Sequence, residues 1–113
     1  MREVYPRSPV TAGVTGAGEV RWTTRPLLPH PLDGLVVERI ALAPRASFRG
    51  APHLAGSREY LACETGRVRL TTAAGAWVLG PGDVIAYRGD QRHGYSNPDD
   101  VPCVAYTVVV VAA

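Results

Sequence analysis

Polar and apolar residues alternate along much of this chain. Between Arg67 and Leu70, two arginines alternate with a valine and a leucine, which is the period of two expected of a strand with one buried face. Further apolar runs lie between Gly, Pro and Asp turns. The predicted strands are Glu19 to Arg25, Leu35 to Ala43, Arg58 to Cys63, Val68 to Thr72, Ala76 to Leu79, Val84 to Tyr87 and Cys103 to Val111.

Helical periodicity is missing from the sequence. No ten-residue segment carries apolar residues at helical spacing without a Gly or a Pro, and both residues break helices. Strands this short, with turns every eight to twelve residues, are typical of a sandwich or a barrel. The sequence therefore predicts an all-β fold with eight or more strands.

The two ends of the chain differ from this pattern. Residues 1–18 are rich in Pro, Gly, Thr and Ser and show no alternation, so we predict an extended N-terminal arm followed by a β-barrel over residues 19–113. The last strand, by contrast, holds four consecutive valines from Val108 to Val111. Such a run predicts a strand that is buried on both faces.

Composition limits the partners and the compartment. At 113 residues, 46% of them hydrophobic, the chain is one globular domain. A net charge of +2 with scattered arginines argues against direct binding of nucleic acid. No apolar run is long enough to cross a bilayer, and no secretory segment is present, so we expect a cytoplasmic protein. Cys63 and Cys103 are then expected to be free, buried thiols.

Three residues carry the candidate chemistry. His53 precedes Glu59 by six residues, and His93 follows the apolar run of the sixth predicted strand. Two imidazoles and one carboxylate could therefore meet in one pocket. His93 lies in the segment GDVIAYRGDQRHGYSN, from Gly82 to Asn97, where a strand, a tight turn and a second strand are predicted.

This segment resembles the second conserved motif of the cupin superfamily. That motif runs Gly, five residues, Pro, one residue, Gly, two residues, His, three residues, Asn. Gly82, His93 and Asn97 stand at matching positions, whereas Arg88 replaces the Pro and Asp90 replaces the second Gly.

An upstream segment resembles the end of the first cupin motif. Glu59 and Gly66 reproduce its Glu, six residues, Gly. The family expects His-x-His before that Glu, but this chain has only His53. Without an insertion, His53 takes the first His position and Ala55 the second; with one extra loop residue, His53 takes the second and Ala51 the first. We favour the first register, and in both one of four usual metal ligands is missing.

The resemblance covers about Leu35 to Val111 and implies a double-stranded β-helix, a jelly-roll barrel, in a single domain. It also implies one divalent transition metal, Fe, Ni, Mn, Cu or Zn, held by His53, Glu59 and His93. A metal-free cluster, hydrogen-bonded to itself, to tyrosines or to water, stays equally open. Tyr95 is the expected ligand contact because it shares a strand face with His93.

Function is predicted only by class, because cupins host many activities. The chain is similar to the C-terminal cupin domain of bacterial helix-turn-helix regulators of the XRE type, which implies a small-molecule sensor. Open sheet edges and the long apolar final strand predict a homodimer. The alternatives are a stand-alone metal-dependent oxygenase, isomerase or lyase, and a scaffold that has lost its site. A compact, partly apolar ligand would contact Tyr95 and an apolar wall that includes Leu61.

Overall fold

The computed structural model of the protein describes residues 2–30, 32–53 and 55–111. The first residue of the predicted arm and the last two residues of the predicted barrel lie outside these ranges. The described residues form ten β-strands. In chain order they are β1 (Thr11–Val14), β2 (Val20–Pro26), β3 (Leu35–Leu42), β4 (Ser47–Gly50), β5 (Arg58–Thr65), β6 (Val68–Thr72), β7 (Gly75–Leu79), β8 (Val84–Arg88), β9 (His93–Ser96) and β10 (Cys103–Val110).

The strands form two antiparallel sheets that enclose a common core. One has six strands in the order β1-β2-β3-β10-β5-β8, and the other has four in the order β4-β9-β6-β7. Apolar residues of both sheets, among them Ile40, Leu42, Leu61 and Leu70, make up the buried cluster between them. The predicted all-β jelly-roll barrel is thereby confirmed. No helix among the described residues could cross a lipid bilayer.

Two of the strands were not predicted. Strand β1 lies within the segment predicted as an extended arm, and it pairs with β2 so that Gly13 stands opposite Trp22. A Cβ on Gly13 would lie 2.0 Å from the Trp22 ring nitrogen, so glycine allows the indole to pack directly under β1. Strand β4 is four residues long and pairs only with β9. Neither strand has the apolar alternation that identified the others.

Strand β10 occupies the centre of the six-stranded sheet, between β3 and β5. Its burial alternates: Cys103, Ala105, Thr107 and Val109 are buried, and the residues between them are half-buried. The prediction of burial on both faces is therefore wrong for this strand. The second sheet covers only the inner face, so the run of valines reflects β-propensity on the outer face rather than full burial.

A turn before β10 fixes the end of the barrel. The buried Asn97 side chain donates hydrogen bonds to the carbonyl oxygens of Leu42, Ala43 and Val101, and it accepts one from the Asp99 amide. The cluster of bonds identifies Asn97 as a turn residue, as predicted. Cys63 and Cys103 are free and buried, which is also as predicted.

Candidate functional site

His53, Glu59 and His93 come together between the two sheets. Glu59 is on β5 of the six-stranded sheet, His93 begins β9 of the four-stranded sheet, and His53 lies in the loop between β4 and β5. Glu59 Oε2 is 3.5 Å from His93 Nε2 and 3.8 Å from His53 Nε2. Glu59 and His93 are buried and His53 is half-buried. The structure thus assembles the predicted trio.

Hydrogen bonding fixes the proton position on His93. Its Nδ1 lies 2.8 Å from the carbonyl oxygen of Gln91. A carbonyl oxygen only accepts, so Nδ1 carries a hydrogen and donates it, and in the neutral ring Nε2 has the lone pair. Nε2 faces Glu59 Oε2, which is fully buried and has no hydrogen-bond partner among the described residues. The neutral ring and the carboxylate thus place two electron-pair donors against each other, which is an arrangement that a cation stabilises.

The other carboxylate oxygen of Glu59 is satisfied. The Tyr95 hydroxyl donates to Glu59 Oε1 over 2.6 Å, and the Tyr87 hydroxyl lies 2.9 Å from that of Tyr95. Because the Tyr95 hydrogen is directed to Glu59, Tyr87 donates to Tyr95. Burial, together with the nearby negative charge, raises the pKa of both tyrosines well above its usual range. Both hydroxyls therefore stay protonated. Tyr95 donates to Oε1, and Oε2 receives no hydrogen bond from either tyrosine.

Tyr87 was not identified from the sequence as part of this site. It stands directly opposite Glu59 in the β5–β8 pairing, and directly opposite residues share a face of the sheet. Alternation within one strand cannot supply that register, since it depends on how the two strands align. The segment GDVIAYR would have indicated Tyr87 only if the position opposite Glu59 had been known.

The trio fits a divalent transition metal. Ligand atoms that share an ion at bond lengths of about 2.1 Å lie about 3.0–3.4 Å apart, which is close to the separations found from Glu59 Oε2 to the two imidazole nitrogens. Nitrogen and carboxylate donors suit Fe, Ni, Mn, Cu or Zn. Within the described ranges, no further His, Cys, Asp or Glu joins this group. Ala51 and Ala55, which occupy the open positions in the two registers, have no ligand atom.

A cavity of about 400 Å³ adjoins the trio. Its lining includes His53, Glu59, His93 and Tyr95, and its other walls are largely aromatic, aliphatic and threonine side chains. Tyr95 is thus placed where a ligand contact was predicted. The volume falls within the range that small-molecule pockets occupy in proteins.

Leu61, the second predicted ligand contact, is placed elsewhere. Its side chain is fully buried in the core cluster and is not among the residues that line the cavity. Leu61 faces inward like Glu59, two residues earlier, but it pairs with Ile85 and Thr107 and packs into the deeper apolar layer. We therefore leave Leu61 out of the ligand site.

Gly50 keeps open the space in front of His93. A Cβ at position 50 would lie 2.4 Å from His93 Nε2 and 3.2 Å from the Tyr95 ring. We expect Gly50→Ala to reduce metal binding at the trio by more than about tenfold, because the methyl group would occupy the space in front of Nε2 that an ion needs. Isothermal titration with Zn²⁺ and Ni²⁺ measures this effect.

Gly94→Ala is the matched control, because Gly94 pairs with the neighbouring residue on β4 and a Cβ there would meet only the Phe48 carbonyl at 3.5 Å. This variant should bind metal like the wild type. Equal affinity in the two variants would contradict the importance of the space at Gly50.

Comparisons with known proteins agree with this fold. The family model for the cupin domain matches residues 39–110. Among solved structures, the chain is similar to the cupin domain of an XRE family transcriptional regulator from Enterobacter cloacae, at 24% identity and a TM-score of 0.76, covering 81% of this chain and 98% of that one. No curated protein matches the sequence.

Two further structures match almost the whole chain. A conserved barrel domain protein from Salinispora arenicola has 22% identity and a TM-score of 0.70, over 99% of this chain and 91% of that one. A polyketide cyclase from Streptomyces resistomycificus has 20% identity and a TM-score of 0.67, over 99% and 81% of the two chains. These two matches extend through the N-terminal residues. At such identities the likeness concerns the fold.

Proposed function

This chain belongs to the cupin domain family, and from that premise we propose that it binds a small molecule with the help of one divalent transition metal. His53, Glu59 and His93 would hold the metal. The ligand would occupy the adjoining cavity of about 400 Å³ and contact Tyr95.

The observation that carries the proposal is the unpartnered oxygen of Glu59. A buried carboxylate oxygen without a donor costs free energy, and Oε2 faces the nitrogens of His53 and His93, which are acceptors when the rings are neutral. A cation among the three atoms removes this cost. In the purely structural alternative, a protonated imidazole would be the donor to Oε2, and metal uptake distinguishes the two.

When bound, the metal supplies a Lewis acid with coordination positions that the three protein ligands leave open. The protein's own residues then orient the site. Tyr95, held by Tyr87, fixes the Glu59 carboxylate through Oε1 and leaves Oε2 directed at the imidazoles. Trp22 and Phe48, stacked with ring centroids 4.5 Å apart, form an apolar wall of the cavity.

We favour a sensory role for this binding, in which ligand occupancy shifts the packing of two protomers. The regulator cupin domain from Enterobacter cloacae is the structural relative that supports it. The homodimer that this role needs is part of the proposal. Support comes from the outer face of the six-stranded sheet, where the apolar side chains of Tyr60, Val84 and Val110 are exposed.

A metal-dependent enzyme, such as an oxygenase, isomerase or lyase, is the second candidate. The open metal positions and the cavity beside them favour it, and the polyketide cyclase from Streptomyces resistomycificus shares the fold. Chemical change of a bound compound during incubation separates catalysis from sensing.

Metal content is the direct test of the proposed site. Protein purified without chelators or an affinity tag should contain about one equivalent of a transition metal by elemental mass spectrometry, because three nitrogen and oxygen ligands converge. His93→Ala should lose it, since the more buried of the two imidazoles is removed. His30→Ala, which removes an exposed histidine outside the trio, should keep it. Wild-type protein that takes up no metal even from excess ion would refute the proposal.

A further inference from the structure

The cavity contains a second carboxylate, Glu38, at a distance from the trio. Glu38 is on β3, opposite Pro26 of β2 and Thr107 of β10. It faces the interior because Ile40 and Leu42, two and four residues later, are almost fully buried. It lines the cavity and is half-buried. The motifs did not indicate Glu38, and an acidic residue within an apolar strand was the only signal.

Glu38 has no partner in the part of the chain that the structure describes. No hydrogen bond and no ion pair involves its carboxylate, whereas Asp90, Asp99 and Asp100 each pair with an arginine. Because Glu38 is only half-buried, water can hydrate its carboxylate while the cavity is empty. A ligand ammonium group that replaced this water would form a charge-assisted hydrogen bond with the carboxylate.

The other walls of the cavity favour a cationic ligand group. Trp22 and Phe48 line the cavity, and aromatic rings attract ammonium groups that approach a ring face. Arg49, the basic side chain of the lining, is exposed at the rim on the edge strand β4. Among the described residues, the cavity lining beside Glu38 therefore has an acid and aromatic rings, but no buried arginine or lysine that could neutralise the carboxylate.

Glu38 and Glu59 stand at two ends of one cavity. Val36 lies opposite Val109, which in turn lies opposite Glu59, and Glu38 is two residues beyond Val36. Two strand spacings and two residues along β3 separate the backbones of the two glutamates by about 12 Å. A ligand of small-metabolite size can thus contact both ends.

We propose that Glu38 forms an amine subsite, so that the ligand is a small molecule with an ammonium group at one end and a metal-binding oxygen group at the other. The metal-binding oxygen group of the ligand rests on the proposed metal function. The amine subsite rests only on Glu38 and the aromatic residues of the cavity. Compounds of the ω-amino acid type have both groups.

The test uses γ-aminobutyrate and its homologues up to ε-aminohexanoate, compared with hydroxy acids and dicarboxylates of the same chain lengths. Isothermal titration measures their affinities for wild-type, Glu38→Gln and Glu64→Gln protein, each with and without metal. Glu64 is an exposed carboxylate on β5 and serves as the matched control. We expect the wild type and Glu64→Gln to prefer the amino acid over the dicarboxylate by about tenfold, and Glu38→Gln to lose that preference.

An unchanged preference in Glu38→Gln would overturn the amine subsite, and so would a lack of binding by every amino acid in the series. The two proposals fail in different ways. Absence of metal uptake defeats the metal site only, since the amine preference is also measured on metal-free protein. Metal uptake without a Glu38-dependent preference defeats the subsite only.

Discussion

Replacing Glu59 with glutamine is expected to weaken metal binding by more than about 100-fold and yet to stabilise the metal-free protein. The amide can keep its oxygen toward the Tyr95 hydroxyl and direct its NH₂ group at His93 Nε2, 3.5 Å from the present Oε2. The pair of opposed lone pairs becomes a donor and an acceptor. We expect the free energy of unfolding of the metal-free protein to rise by about 1 kcal/mol.

Two measurements check this result: metal titration, and urea unfolding at pH 8 in the presence of a chelator. Metal affinity must fall while the free energy of unfolding of the metal-free protein rises. If the carboxylate served only the fold, removing its charge would lower the free energy of unfolding instead. Glu64→Gln, on the exposed face of the same strand, should change neither quantity. If Glu59→Gln unfolds more easily than the chelated wild type, Oε2 has a donor in the metal-free protein and the premise of an unpartnered oxygen is wrong.

Gly66→Ala is expected to cause the largest loss of stability among the glycine variants. Gly66 follows β5 directly, in the β5–β6 turn, and has a φ of 68°, in the left-handed region that costs other residues about 1–2 kcal/mol. A Cβ there would also lie 2.6 Å from the Pro102 carbonyl oxygen and 2.8 Å from Cys103 Cβ. Because one of these contacts is with backbone, we expect a loss of about 3 kcal/mol.

Gly82→Ala separates the cost of the left-handed backbone conformation from the cost of the close contacts. Gly82 has a φ of 88°, and nothing lies within 4 Å of a Cβ built on it. This variant should lose only the conformational part, about 1 kcal/mol. Chemical unfolding of both variants gives the comparison. Equal losses would show that the contact with Pro102 is relieved by movement of the turn before β10.

Most of the fold follows from alternation in the sequence, because a sandwich buries one face of each strand. Alternation finds β6, where polar and apolar residues change places regularly, and an apolar run between turns finds β8. It misses β1 and β4, which are four residues long and hold glycine or polar residues. These short strands form through pairing with a neighbour, which local sequence does not encode.

At the site, too, local sequence predicted some residues and missed those whose role depends on strand pairing. The motif spacing predicted His53, Glu59 and His93, and the structure brings them together. Tyr87 and Glu38 were missed because their importance depends on cross-strand register and on the shape of the cavity. Leu61 was assigned to the ligand because alternation shows which way a side chain faces but not how deep it lies.

Glu59 belongs to the six-stranded sheet and His93 to the four-stranded one. An ion held by both residues would therefore cross-link the two sheets. Because the ion would bind the folded protein and not the unfolded one, it would raise the free energy of unfolding by RT ln(1 + [L]/Kd) for free ion at concentration [L]. Metal supply would then set how stable the two-sheet arrangement of this barrel is.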